Sequence, residues 1–252
     1  MVKNVIKYVL SKFGFLLIRD VPGHVLTWRC SHPDNIEALE LAILLCRKGR
    51  SSLRLIQIGA NDGVVADPLR PLIQKYHLQG LLVEPLPDIY QKLRENYASE
   101  PQLTFANVAI GPSDSEINIY RFSKEATKGN DALHGLSTFD RKRIETHARN
   151  LGLSWSEIET VSVPCLSMQE LVNKYRYEQF DFLCIDAEGM DFTILRSAFD
   201  SNIKPAIVYM EVLDMRPQDR QCLLDLLSKE GYKINATISD LLAVKLGSIA
   251  LA

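Results

Sequence analysis

No apolar run in the 252-residue sequence approaches the roughly 18 residues that a membrane-spanning helix needs. Neither sign of charge is in excess: 29 Lys and Arg stand against 31 Asp and Glu, a formal net charge of -2. Such a chain has no broad basic field to draw a nucleic-acid backbone, so nucleic acid is not an expected partner. The five cysteines, Cys30, Cys46, Cys165, Cys184 and Cys222, form no C-x-x-C pair and have no histidine at a zinc-site spacing. They read as reduced and mostly packed thiols, which suits a cytoplasmic location. There is no internal repeat and no disorder-prone composition, since 46% hydrophobic and 24% charged residues are ordinary globular values.

What is present fits one α/β domain with an appendage. Near the N-terminus, Lys3 and Lys7 precede an apolar stretch, but Lys12 interrupts it, Arg19 and Asp20 follow, and a small-residue cleavage site is missing, so a secretory signal is not expected. Val2, Val5, Ile6, Val9, Leu10 and Phe13 instead recur at helical spacing and predict an amphipathic helix. That helix either packs on its own domain, forms a homodimer contact, or touches a membrane surface through residues 1–20. Residues 1–50 are read as an N-terminal helical extension and residues 51–252 as the catalytic domain, with an insertion at about 123–156.

Short apolar runs and helical segments alternate along the second part. Strands are predicted over Leu53–Ile58, Gly80–Glu84, Leu103–Val108, Glu116–Phe122, Val161–Leu166, Phe180–Asp186 and Ala206–Glu211. Helices are predicted from Asp67-Pro68, over Pro87–Tyr97, from Ser167 with Glu170 at the capping-box position, over Asp191–Phe199 and over Pro217–Lys229. Tyr232–Ala236 and Leu241–Val244 suggest a terminal hairpin on a sheet edge. Ser123–Ser156 is polar and mixed, with a helix over Phe139–Asn150, and reads as a lid or insertion. This alternation implies a doubly wound, mainly parallel sheet.

Ligands of such sheets bind beyond the carboxyl ends of the strands, so the strand ends carry the candidate site. The first core strand ends in Gly59-Ala60-Asn61-Asp62-Gly63, where two glycines allow a tight bend. Glu84 ends the second strand, 21 residues past Gly63, in position to accept hydrogen bonds from both hydroxyls of a ribose. A dinucleotide fits badly, because G-x-G-x-x-G is broken at Asn61 and Asp62 adds negative charge where a pyrophosphate would lie. A phosphate-free adenosine carrying a sulfonium and an ammonium suits the acidic turn, and this points to S-adenosylmethionine.

Five segments in order resemble the FkbM-type methyltransferases: Ile58-Gly59-Ala60-Asn61-Asp62-Gly63, Val83-Glu84-Pro85, Asn107-Val108-Ala109, Phe182-Leu183-Cys184-Ile185-Asp186-Ala187-Glu188-Gly189 and Met210-Glu211-Val212. The resemblance covers about residues 53–214. It implies a Rossmann-like class I methyltransferase fold with a seven-stranded sheet, S-adenosylmethionine as cofactor, and commonly O-methylation of sugars or secondary metabolites. The expected cofactor-binding residues are Gly59, Ala60, Asn61, Asp62, Gly63, Glu84, Pro85, Asn107, Val108 and Asp186.

Asp186 and Glu188 follow a buried strand, and Glu211 and Asp214 follow the next. These carboxylates can orient the cofactor, take the proton from an acceptor hydroxyl, or bind a divalent metal; alternatively some only stabilise a helix N-terminus. The expected catalytic residues are Glu188, Asp186 and His134, the histidine because it titrates near neutral pH. The expected reaction is O-methylation of a hydroxyl on a sugar, glycan or small metabolite. N-methylation of an amine or peptide amide, and a non-catalytic binding or scaffolding role, remain alternatives. A metal is neither required nor excluded by these residues.

Overall fold

The computed structural model describes residues 15–17, 28–30, 36–47, 52–65, 67–112, 115–128, 133, 136–213 and 215–245. The predicted amphipathic helix of residues 2–13 lies outside them. In chain order the elements are β1 (Phe15–Leu17), β2 (Trp28–Cys30), α1 (Ile36–Arg47), β3 (Arg54–Ile58), α2 (Arg70–Tyr76), β4 (Gln79–Val83), α3 (Pro87–Asn96), β5 (Leu103–Ala106), β6 (Ala109–Ile110) and β7 (Ser115–Phe122). They continue with β8 (Ser137–Thr138), α4 (Arg141–Leu151), β9 (Ile158–Leu166), α5 (Met168–Tyr175), β10 (Phe182–Ile185), α6 (Asp191–Asp200), β11 (Ile207–Glu211), α7 (Pro217–Lys229), β12 (Lys233–Ala236) and β13 (Asp240–Val244). The main sheet is seven-stranded, in the order β12-β13-β11-β10-β3-β4-β5. This is the Rossmann-like α/β arrangement expected of a class I methyltransferase fold.

Two compact units divide the chain, one made of residues 54–180 and 185–204, the other of 1–53, 181–184 and 205–252. In the first unit, β3, β4 and β5 pair in parallel, with Ile58 opposite Val83 and Val83 opposite Ala106. Leu55, Ile56 and Ile58 of β3 and Leu81, Leu82 and Val83 of β4 are buried, as strands covered on both faces require. A four-stranded sheet, β6-β9-β7-β8, belongs to the same unit. Its backbone is the antiparallel β7–β9 pair, which runs from Ser115 opposite Cys165 to Phe122 opposite Ile158.

Several predicted boundaries shift. The strand expected over Leu103–Val108 ends at Ala106, and Ala109–Ile110 joins the other sheet beside Cys165–Leu166. The break falls at Asn107, whose amide donates to the carbonyls of Glu84 and Pro85, both at 2.9 Å, and so turns the chain. The helix expected to open at Asp67-Pro68 opens at Arg70, because Asp67 is drawn into a cluster with Gln57 and Tyr97 while still accepting the Leu69 N–H at 2.9 Å. Within residues 123–156 the helix predicted over Phe139–Asn150 forms as α4. Phe122, Leu133, Ile144 and Ala148 form a small core of their own under α4. Polar composition concealed this layer because few apolar side chains suffice to seat a helix on a two-stranded sheet edge.

In the second unit β11 and β13 pair antiparallel, as do β12 and β13, so the predicted terminal hairpin forms at the sheet edge. Pro217 opens α7, and Leu223 and Leu227 are its buried residues. Tyr232 donates its hydroxyl to the Pro205 carbonyl, which ties the chain after α7 to the approach of β11. Strands β1 and β2 form a short antiparallel pair. No helix among the described residues is long and apolar enough to cross a membrane.

Candidate functional site

The turn after β3 is set by its glycines for steric reasons. Gly59 has φ +76°, and a Cβ there would lie 1.7 Å from the carbonyl oxygen of Asp186. The turn after β3 therefore lies directly against the segment after β10, where the Asp186 N–H also donates to the Ile58 carbonyl at 3.0 Å. Gly63 has φ +70°, and a Cβ there would meet the Tyr97 ring at 2.4 Å. Between them Asn61 adopts φ +49°, a left-handed conformation that is unfavourable by about 1 kcal/mol or more for a residue with a side chain. Surrounding bonds hold it there. Asp62 accepts the N–H groups of Val64 and Val65, Asn96 donates to the Asp62 carbonyl, and Arg70 donates to the carbonyls of Gly63 and Asn96 while lying over the Tyr97 ring.

Glu84 stands at the end of β4, 5% exposed. One carboxylate oxygen accepts the N–H of Asn61 at 3.1 Å and the other that of Leu86 at 2.9 Å. Burial pushes its carboxyl up to about 7, against the opposing pull of those two backbone donors. A carboxylate offers about four acceptor positions, so two further hydroxyl donors can still be received. Pro85 and Asn107 sit beside it, half-buried, and Val108 is buried. The amide nitrogen of Asn107 is engaged with the two carbonyls already described, which leaves its carbonyl oxygen as the group to offer a ligand.

Below the turn lies a polar cluster. The Asp67 carboxylate accepts from Gln57 at 3.1 Å, from Tyr97 at 3.0 Å and from the Leu69 N–H. Burial raises the Asp67 carboxyl, and the hydrogen bonds only partly offset it. Burial and the neighbouring Asp67 carboxylate push the Tyr97 hydroxyl upward. The cluster reaches the turn through the Tyr97 ring, which packs against Gly63.

The second strand end is Asp186-Ala187-Glu188-Gly189. Asp186 is exposed and Glu188 half-buried, with carboxylate oxygens within 4.8 Å of each other. Glu188 adopts φ +47° and Gly189 φ +107°. Asp191, the first residue of α6, turns its carboxylate back on this segment and accepts the N–H groups of Ala187 at 2.8 Å and Gly189 at 3.0 Å. Burial raises the Asp191 carboxyl, with those same bonds acting against it. Arg143 of α4 donates to Glu188 at 3.0 Å, and Thr138 of β8 donates its hydroxyl to the Glu188 carbonyl at 2.9 Å.

Asp191, Arg143, Thr138 and Asp67 are not among the expected site residues; Asp67 and Asp191 are read from sequence only as helix starts. Sequence pattern places Asp191 at a helix start but carries no mark of the bonds it accepts from Ala187 and Gly189. Arg143 and Thr138 carry no sequence signal, because they reach Glu188 across 45 and 50 residues. Glu211 ends β11. His134 and Asp214 lie outside the described residues.

A family model described as "Methyltransferase FkbM domain" matches residues 57–234. The chain belongs to this family. It is therefore a methyltransferase by family, and the matched span contains both strand ends just described.

No curated protein matches the sequence. Among solved structures, a methyltransferase FkbM from Methylobacillus flagellatus is 14% identical, with a TM-score of 0.48 over 77% of this chain and 44% of that one. The chain thus spans less than half the length of that protein. The N-terminal domain of human METTL16, solved in complex with SAH, is 10% identical, with a TM-score of 0.45 over 94% of this chain and 78% of that one. A precorrin-6y C5,15-methyltransferase from Geobacter metallireducens is 12% identical, with a TM-score of 0.38 over 82% and 86%.

Proposed function

We propose that the chain binds S-adenosylmethionine at the turn after β3 and transfers its methyl group to a hydroxyl oxygen of a sugar, glycan or small metabolite in the cytoplasm. The observation that carries this reading is the 3.1 Å hydrogen bond from the Asn61 N–H to the buried Glu84 carboxylate, which brings the glycine turn and the second strand end to one place.

The donor set fits the cofactor. Glu84 has acceptor capacity left for ribose hydroxyls, and the carbonyl oxygen of Asn107 and the buried Val108 lie beside it for the base. Gly59, Ala60, Asn61, Asp62 and Gly63 present backbone and an acid rather than the phosphate cradle of a dinucleotide site, which suits a cationic ligand. Asp186 stands against Gly59 and would face the same ligand. When bound, the cofactor supplies an electrophilic methyl group on a sulfonium.

The remaining work belongs to the chain's own residues. Positioning dominates methyl transfer, and holding an acceptor oxygen in line contributes several kcal/mol. An alcohol must also lose its proton, and Glu188 is the group assigned to receive it, with Asp186 beside it. Both lie on the segment that packs against Gly59. Nothing in this scheme needs a metal, and none is assigned.

Calorimetry with S-adenosylmethionine tests the cofactor, with micromolar binding expected for the unaltered protein and a loss of tenfold or more in Glu84→Gln. Incubation with methyl-labelled cofactor and a panel of monosaccharides, nucleotide sugars and oligosaccharides tests the acceptor class. Label in an ether-linked methyl supports O-methylation, whereas label on nitrogen overturns it.

A further inference from the structure

We propose that Arg143, delivered by α4, is a positioning residue that aims the Glu188 carboxylate for proton acceptance, so that α4 completes the catalytic centre. The inference rests on the reading of Glu188 as the proton acceptor.

Four observations converge on it. The Arg143 guanidinium donates to the Glu188 carboxylate at 3.0 Å, with both side chains largely shielded from solvent. The same guanidinium lies over Gly189, close enough that a Cβ there would stand 3.2 Å from it. Gly189 therefore serves two needs, its φ of +107° and the close approach of Arg143. Thr138, 3% exposed, donates to the Glu188 carbonyl and accepts the Asp140 N–H, which in turn starts α4. Glu188 itself is held at φ +47°, a conformation that does not persist unless its surroundings impose it.

Ile144 and Ala148 seat α4 on its core, Asp140 caps it, and Gly152 ends it in a left-handed turn. A cation in the first turn of a helix is also disfavoured by the helix dipole. Arg143 is placed against that preference, facing the strand-end carboxylate, while the neighbouring Arg141 is paired within the helix to Glu145. A charge-assisted hydrogen bond at this distance restricts the rotamers of the carboxylate, and a fixed direction serves a group that must meet the proton of a positioned acceptor.

The test uses the full chain in three forms: unaltered, Arg143→Gln and Arg143→Lys. Labelling with a water-soluble carbodiimide and glycinamide, read by peptide mass spectrometry, reports how tightly Glu188 is held. It should quicken about fivefold or more in Arg143→Gln and return most of the way in Arg143→Lys, since charge is restored without the planar fork. Methyl transfer to the acceptor panel should fall about 10- to 100-fold in kcat for Arg143→Gln, with the KM for S-adenosylmethionine unchanged. Calorimetric binding of S-adenosylmethionine should be the same in all three forms. Equal labelling of Glu188 in the unaltered and Arg143→Gln proteins, or an undiminished kcat in the latter, overturns the inference. Failure of the unaltered protein to bind S-adenosylmethionine overturns the proposed function instead, and the labelling result still decides whether Arg143 holds Glu188.

Discussion

The backbone N–H of Asn61 and the carboxylate of Glu84 are 3.1 Å apart, donor to acceptor, across 23 residues of chain. The contact joins a left-handed turn to a buried acid, and each stabilises what is unfavourable in the other. Asn61 is held at φ +49°, and Glu84 gains a donor where water is excluded.

Cofactor affinity should rise with pH. Burial pushes the Glu84 carboxyl up to about 7, and hydroxyl donors are received best by the ionised form. Between pH 6 and 8 the ionised fraction rises from about a tenth to about nine-tenths, so the Kd for S-adenosylmethionine should tighten about tenfold. Calorimetry at the two pH values checks this, and Glu84→Gln should bind weakly and equally at both.

Stability should run the other way. The folded-state value of Glu84 lies above the unfolded value of 4.5, so its contribution is fully present below about pH 4.5 and is lost as pH rises through about 7. The loss is of the order of 3 kcal/mol between those limits. Urea unfolding at pH 5 and pH 8 should show a larger difference for the unaltered protein than for Glu84→Gln; an identical pH dependence in the two would remove Glu84 as the cause.

Gly59→Ala should abolish or severely weaken folding rather than only binding. The added Cβ would stand 1.7 Å from the Asp186 carbonyl oxygen, a backbone atom that cannot swing aside, at a residue with φ +76°. A loss of more than about 4 kcal/mol is expected. Thermal unfolding of the purified variant checks it, with Gly152→Ala as the comparison, because nothing lies within 4 Å of a Cβ there and only its φ of +70° is strained.

Asp191→Ala should destabilise the protein by about 2–4 kcal/mol, because two N–H donors, those of Ala187 and Gly189, lose their acceptor. Ser167→Ala should cost about 1 kcal/mol through its capping box with Glu170 and leave cofactor binding intact. Measuring both variants by chemical denaturation and calorimetry separates a defect at the strand end from an ordinary loss of helix stability.

Much of the fold was legible because burial leaves a linear trace. The parallel strands β3 and β4 and the buried strand β10 are nearly continuous apolar runs, and the edge hairpin β12–β13 is marked by Gly231 and a polar link. The capping box at Ser167 and the span of α7 follow from local rules that need no distant partner. The helix α4 was legible but the core that seats it was not, since that core mixes Phe122 and Leu133 with two residues of an otherwise polar helix. At the site, the tight bend at Gly59 was legible, but the close approach of the Asp186 backbone to it was not.

By itself the amino-acid sequence determined the alternation of strands and helices, the glycine turn and the acids at the strand ends, because each depends on residue type and near-neighbour spacing. Only the tertiary structure decided that the Asp191 carboxylate takes the N–H groups of Ala187 and Gly189, that Asn107 spends its amide on backbone carbonyls, and that Arg143 and Thr138 meet Glu188. The physical reason is range: hydrogen bonds and ion pairs act over about 3 Å in space and carry no mark of how many residues lie between their partners.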